Sequence, residues 1–205
     1  MTPSAFIIPV ERSSVPKQHY SPREGEDNMQ KWSIDPDHTV AAFCVRHLMI
    51  ANVRGQFNRI SGTVHFDPLN AIGLSLEAEI DVAGIYTGIG KRDDHLRSPD
   101  FFDAERLPTI TFRSTGYEPT GKTTGRLAGR LTIHGIPREI ILDVTLSGPV
   151  TAPAEIGGET TLALSARTSL NREDFGMTWN VPFGDGGVVV GREVEIHLDI
   201  EADRQ

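Results

Sequence analysis

A single cysteine, Cys44, serves a chain of 205 residues, so no internal disulfide can form and the fold must hold by packing. One thiol also suits a reducing compartment. No apolar run approaches the roughly 20 residues that a membrane-crossing helix needs. The first residues lack a basic stretch followed by an apolar one ending in small residues. We therefore expect a cytoplasmic protein with no integral membrane segment. Positive charge is short as well: 20 Lys and Arg against 28 Asp and Glu leave a formal charge of −8, with no basic cluster to offset it, which argues against a nucleic-acid partner. Neither a G-x-S-x-G elbow nor a dinucleotide-binding glycine fingerprint is present.

Two kinds of sequence are present. Residues 1–29 place Pro3, Pro9, Pro16 and Pro22 among polar neighbours and read as a disordered leader, with Met29 directly before the first convincing strand. Residues 30–203 read as one domain of period-two strands. Ala41, Phe43, Val45 and His47 share one parity, and a second strand opening at Gly55 carries Ile60, Gly62, Val64 and Phe66 inward. Leu74 to Val82, Pro108 to Glu118, Leu127 to Ile133, Ile140 to Leu146, Leu162 to Leu170 and Val194 to Ile200 repeat the pattern. GPVTAPAEIGG reads as a long loop between two of them. About eight evenly spaced strands, each with one apolar face, predict an all-β fold, an up-and-down antiparallel β-barrel with short capping helices or a sandwich, of which the barrel is favoured.

Lys91 to Ala104 breaks the alternation. Lys91 to Arg97 predicts a helical turn in which Asp93 and Arg97, four apart, pair. Ser98 reads as an N-cap and Pro99 as the first position of a short turn bearing Phe101 and Phe102. Two adjacent rings are costly to leave in water, so this segment is expected to cap one end of the barrel, charged half outward. A second aromatic segment, Asn171 to Gly187, sets Phe175, Met177, Trp179 and Phe183 among glycines, as a lid or a crossover over the open end.

Small inward residues (Ala41, Gly62, Ala78, Gly129, Ala166) point to an interior too sparsely filled to pack solid, and bulges or backbone crossings at the glycines would explain part of this equally well. The stretches His38 to Asp67, Lys91 to Thr115 and Gly129 to Val144, taken in order, resemble the YceI family of polyisoprenoid-binding proteins. The resemblance implies an extended, lipocalin-like barrel with an apolar channel for a long isoprenoid chain, an isoprenoid quinone, a fatty acyl chain or a similar amphiphile. Carried over by position, the lining would be Phe43, Val45, Phe57, Val64, Phe112, Leu131, Leu142 and Val144, with Phe101 and Phe102 from the cap. Inward parity adds His47, read as a core histidine bonded to a backbone carbonyl, and Ala166; the lid segment adds Phe175 and Trp179. Arg172 would pair with Glu173 or Asp174, or with an acidic head group. No cofactor other than bound lipid is expected, and a homodimer is compatible with the reading. The rival is a small hydrolase or metal-dependent enzyme using Asp93, Asp94 and His95, although successive helical residues point about 100° apart. An interaction module with a filled core is the third reading.

Overall fold

The computed structural model describes residues 28–184 and 186–205, so the leader expected over residues 1–29 lies almost wholly outside the described residues. Strands β1 (Gln30–Ile34), β2 (Val40–His47), β3 (Ala51–Phe57), β4 (Ile60–Phe66), β5 (Ser75–Asp81) and β6 (Ile85–Tyr86) precede helix α1 (Gly90–Arg97). After it come β7 (Thr109–Pro119), β8 (Thr124–Ile133), β9 (Ile136–Thr151), β10 (Thr160–Asn171), the short pair β11 (Pro182–Phe183) and β12 (Gly187–Val188), and β13 (Val190–Arg204). Eight of these close on themselves in the order β1-β4-β5-β7-β8-β9-β10-β13, with β13 returning to β1, all antiparallel. The expected barrel is therefore present. No helix among the described residues is long and apolar enough to cross a membrane.

Turn chemistry explains which hairpins were legible. His134 and Gly135, at φ 53° and 72°, form the tight turn between β8 and β9 that their sequence signals. The β2–β3 turn instead puts Leu48 and Met49 at φ 51° and 61°, a conformation that carries no glycine or asparagine signal here. Hence the sequence reading began the second strand at Gly55, whereas β3 starts at Ala51 and is a separate strand paired with β2 from Ala41–Phe57 to His47–Ala51. The supposed loop from Gly148 also differs, because β9 continues to Thr151 and pairs there with Thr160.

β13 carries two partners along one edge. Its start, Val190 to Asp199, pairs with β2, and its end, Ala202 to Arg204, pairs with β1. Glu201 sits at the jog between them. There the Thr39 hydroxyl accepts the Glu201 N–H at 3.1 Å and donates to its carbonyl at 3.3 Å, and the Asp35 N–H reaches the same carbonyl at 2.9 Å. Beyond that jog the sheet divides, β1 leading to β4 and β5 and β2 leading to β3 and β6 in the upper wall, while β5 reaches the upper cavity through Ala78 and Ile80. β6 pairs only with β3, while β7 pairs with β5 and β8, which leaves the upper wall unpaired between β6 and β7. Helix α1 follows β6 directly at that seam.

One pattern match needs its structural context. Gly116 to Thr123, GYEPTGKT, fits the letters of a phosphate-binding loop. It spans the end of β7 and the β7–β8 hairpin, where the Thr120 and Gly121 N–H groups bond Thr124 O, and a strand follows instead of a helix. The strand-loop-helix context that cradles phosphate is absent here.

Candidate functional site

The lower half of the barrel is solid. Trp32 and Val64 are fully buried there, with Leu127, Leu162, Leu164, Val144 and Ala202 packed beside them. Above that floor lies an apolar cavity of about 170 Å³. Among the described residues 28 line it, and only Thr168 and Arg172 of these bear polar side chains. An apolar cavity of this order stays dry and accepts an apolar guest, because water inside it would forfeit its hydrogen bonds. At roughly 24 cal/mol per Å³, the void costs the empty barrel about 4 kcal/mol of packing, which an apolar guest can restore.

The sequence-derived lining divides between the two halves. Phe43 and Val45 of β2, Phe57 of β3, Phe112 of β7, Leu131 of β8 and Leu142 of β9 border the cavity. So do Phe101 and Phe102 of the cap and Phe175 beyond β10. Val64, Val144 and Ala166, at 0–2% exposure, pack in the floor instead. Strand parity sets the face of a residue but not its height along the barrel, so these three share the face and miss the cavity. His47 is half-buried at the rim, and its ring makes no hydrogen bond among the described residues, so the backbone-bonded core histidine is not found. Trp179 lies outside the lining, in the latch described below. β10 and β13 supply lining that went uncounted, including Leu170, Val194 and Ile196; their inward parity was the available signal.

The small residues also part company. Gly129 leaves no gap, because the Phe112 ring lies over it and a Cβ there would collide with that ring. A Cβ at Gly62 would strike the Glu77 carbonyl, so that glycine serves strand approach. Ala41 and Ala78 are the two of the five that open onto the cavity.

The cap seals the upper seam by means the sequence did not reveal. Asp93 turns inward, 5% exposed, and accepts from the Thr87 N–H at 2.9 Å and from the Thr87 hydroxyl. Arg92 donates to the Thr87 hydroxyl oxygen at 2.7 Å and to its carbonyl at 2.8 Å. Arg97 pairs with Asp94 at 3.0 Å, not with Asp93, and donates to the Ala83 and Ile85 carbonyls, tying α1 to β6. Ser98 closes α1, its N–H and hydroxyl both donating to the His95 carbonyl, and it also caps the turn begun by Pro99 as expected, its Oγ accepting the Asp100 N–H at 3.3 Å and its carbonyl the Phe101 N–H at 3.0 Å. The chain then turns through Asp103 at φ 47°, which drops Phe101 and Phe102 onto the cavity. Phe102 meets Phe57 edge-on at 5.6 Å.

An aromatic latch joins this cap to the second aromatic segment. The His95 ring stands edge-on to Trp179 at 4.7 Å and to Phe101 at 5.1 Å, and Phe101 and Trp179 are 5.3 Å apart. His95 Nε2 and Asp100 Oδ2 are 2.8 Å apart. Asp93, Asp94 and His95 thus engage Thr87, Arg97 and the latch respectively, and do not converge on one point.

Arg172 breaks another expectation. It is 4% exposed and bonds neither Glu173 nor Asp174; its Nε donates to Gly191 O at 2.9 Å, Nη1 to Met177 O, and Nη2 to Val190 O at 3.4 Å. Glu173 pairs with Arg192 instead, at 3.2 Å. Burial holds the Arg172 pKa below its ordinary value, with Glu173 opposing and Arg192 reinforcing the effect.

Comparison with known proteins follows this geometry. A family model described as a YceI-like domain matches residues 32–202. A UPF0312 protein of Staphylococcus aureus strain N315 is 32% identical over 173 residues, covering 84% of this chain and 97% of that protein. The crystal structure of Burkholderia cenocepacia BcnA superposes with a TM-score of 0.68 at 25% identity, over 82% of this chain and 98% of that one. A polyisoprenoid binding domain from Saccharophagus degradans, implicated in plant cell wall breakdown, gives 0.62 over 85% of this chain and 98% of that one. At 12% identity, that last likeness concerns the fold alone.

Proposed function

The chain belongs to the YceI family, and on that premise we propose that it binds the apolar tail of a long-chain isoprenoid or similar amphiphilic lipid in the upper half of its barrel, as a carrier or store without catalysis. The observation that carries this reading is the cavity itself, walled by 26 apolar residues out of 28 and roofed by Phe101, Phe102 and Phe175. Each buried methylene of a tail is worth about 0.8 kcal/mol, so each isoprene unit that enters the cavity contributes about 4 kcal/mol against the cost of ordering the chain. The polyisoprenoid binding described for the Saccharophagus degradans domain concerns a barrel of the same fold. A cytoplasmic setting, with which the lone free Cys44 is consistent, belongs to the same proposal.

Extraction of protein purified without detergent, followed by mass spectrometry of the organic phase, tests the reading. A near-stoichiometric isoprenoid, quinone or fatty acyl species is expected, and its removal should lower Tm through lost linkage. An empty extract, together with a Tm unmoved when such lipids are added back, would contradict it.

A further inference from the structure

Arg172 is out of place in a purely apolar container. A guanidinium carries five N–H donors. Three meet the carbonyls of Gly191, Met177 and Val190, which leaves one hydrogen on each terminal nitrogen without a partner among the described residues. No Asp or Glu among those residues lies within ion-pair distance of it, since Glu173 is engaged by Arg192. The side chain is 4% exposed and borders the cavity together with Phe175, Met177 and Val190. A charge held away from water by carbonyl dipoles alone remains a net positive charge, and its two free donors suit the two oxygens of a bidentate acceptor.

We propose that Arg172 anchors the head group of the bound lipid, and that the protein selects an amphiphile with a single anionic head, a carboxylate or a phosphate monoester, over a neutral lipid of the same tail. This rests on the cavity being the lipid site. The tail lies among Leu131, Ile140 and Leu170 below, and the head meets the guanidinium beneath the lid segment. The anion supplies the counter-charge that the fold omits. Arg172 also braces the segment from Met177 to Gly191, so a stability loss on its removal is uninformative; the ratio of affinities between heads is what separates anchoring from bracing.

Three probes share one C15 tail: farnesol, farnesoic acid and farnesyl phosphate, titrated at pH 7.5 by calorimetry. On the native protein the acid or the phosphate should bind at least about tenfold tighter than farnesol, as a charge-assisted hydrogen bond implies. The larger gain identifies which anion the site takes. In Arg172→Met the ratio of anion affinity to farnesol affinity should fall to about one, whatever the absolute affinities become. Farnesol binding as tightly as both anions to the native protein, or a preference that survives Arg172→Met, would overturn the anchor and leave the lipid-binding reading intact. No binding of any probe would overturn that reading and the anchor with it. If Arg172→Met does not fold, carboxyl-labelled farnesoic acid bound to the native protein decides by NMR. Contact with Arg172 holds its titration below that of the free acid, whereas an apolar site without that contact raises it.

Discussion

The floor and the upper half of this barrel share strands and alternation, and they differ in what fills them. In the floor, Trp32 is buried beside its cross-strand partner Val64, and Leu127 and Leu164 are buried as fully, all 0–1% exposed. In the upper half, Phe43, Phe112 and Leu131 stand against the walls, Ala41 and Ala78 contribute only methyl groups, and space remains between them. An indole provides the volume that closes one half, and no residue of that size projects from the strands into the other. The floor therefore carries the stability of the fold, and the upper half trades packing for room.

Truncating the floor should have the largest effect. Trp32→Ala is expected to cost about 3–5 kcal/mol in urea denaturation, whereas Leu131→Ala, bordering a void with fewer contacts to lose, should fall near 2 kcal/mol. Equal losses would erase the contrast.

Filling sharpens the same comparison. Ala166 is 2% exposed in the floor, so Ala166→Phe must strain its neighbours, at about 1–3 kcal/mol, while lipid retention persists in the protein that folds. Ala78 opens onto the cavity, so Ala78→Phe should change stability by less than about 1 kcal/mol and compete with the ligand. Opposite outcomes for the pair would mean that floor and cavity have been misassigned.

Fold class was legible because alternation needs only the identity of successive residues. Parity placed Phe43, Phe112 and Leu131 inward, and two adjacent phenylalanines announced a plug. What escaped depended on distance along the chain or on backbone geometry. Parity could not tell Val64 and Ala166 from Val45 and Leu142, because height in the barrel follows from strand stagger. The Leu48–Met49 turn carries no sequence signal for its left-handed backbone. Asp93 was expected at the surface with its charged neighbours, but Thr87, six residues earlier, offers it two donors. Arg172 was expected to take the nearest carboxylate, and the carbonyls of Met177 and of the start of β13, up to 19 residues away, hold it instead.

A smaller effect concerns the roof. Trp179→Ala removes the edge-on contact to His95 and the tilted one to Phe101, worth about 0.5–1.5 kcal/mol each beyond their buried area. A rise in ligand dissociation rate is expected in stopped-flow displacement, with a Tm lower by several degrees. An unchanged rate would place the ligand's route elsewhere.

The smallest effect lies at the jog on the floor side. The Asp35 hydrogen bond raises the pKa of His38, and the His38 hydrogen bond lowers that of Asp35. The histidine contribution is full below its unfolded pKa of roughly 6.5 and fades as pH rises through the raised folded value; the aspartate contribution is present above roughly 3.9 and fades as pH falls through the lowered one. Their overlap lies between about pH 4 and 6.5. Comparing native protein with His38→Gln by urea denaturation, a small deficit at pH 5.5 that closes by pH 8.5 is expected. A deficit that grows with pH would show that the pair does not act as an ion pair.

Methyl NMR on the native protein tests the division of the barrel most directly. Titration with farnesol, a neutral apolar guest, should shift the methyl resonances of Leu131, Ile133, Ile140 and Ile196 and leave those of Leu127, Leu146, Leu162 and Leu164 in place. Shifts spread evenly over both sets, or none in the first, would contradict a barrel that is solid below and open to a lipid tail above.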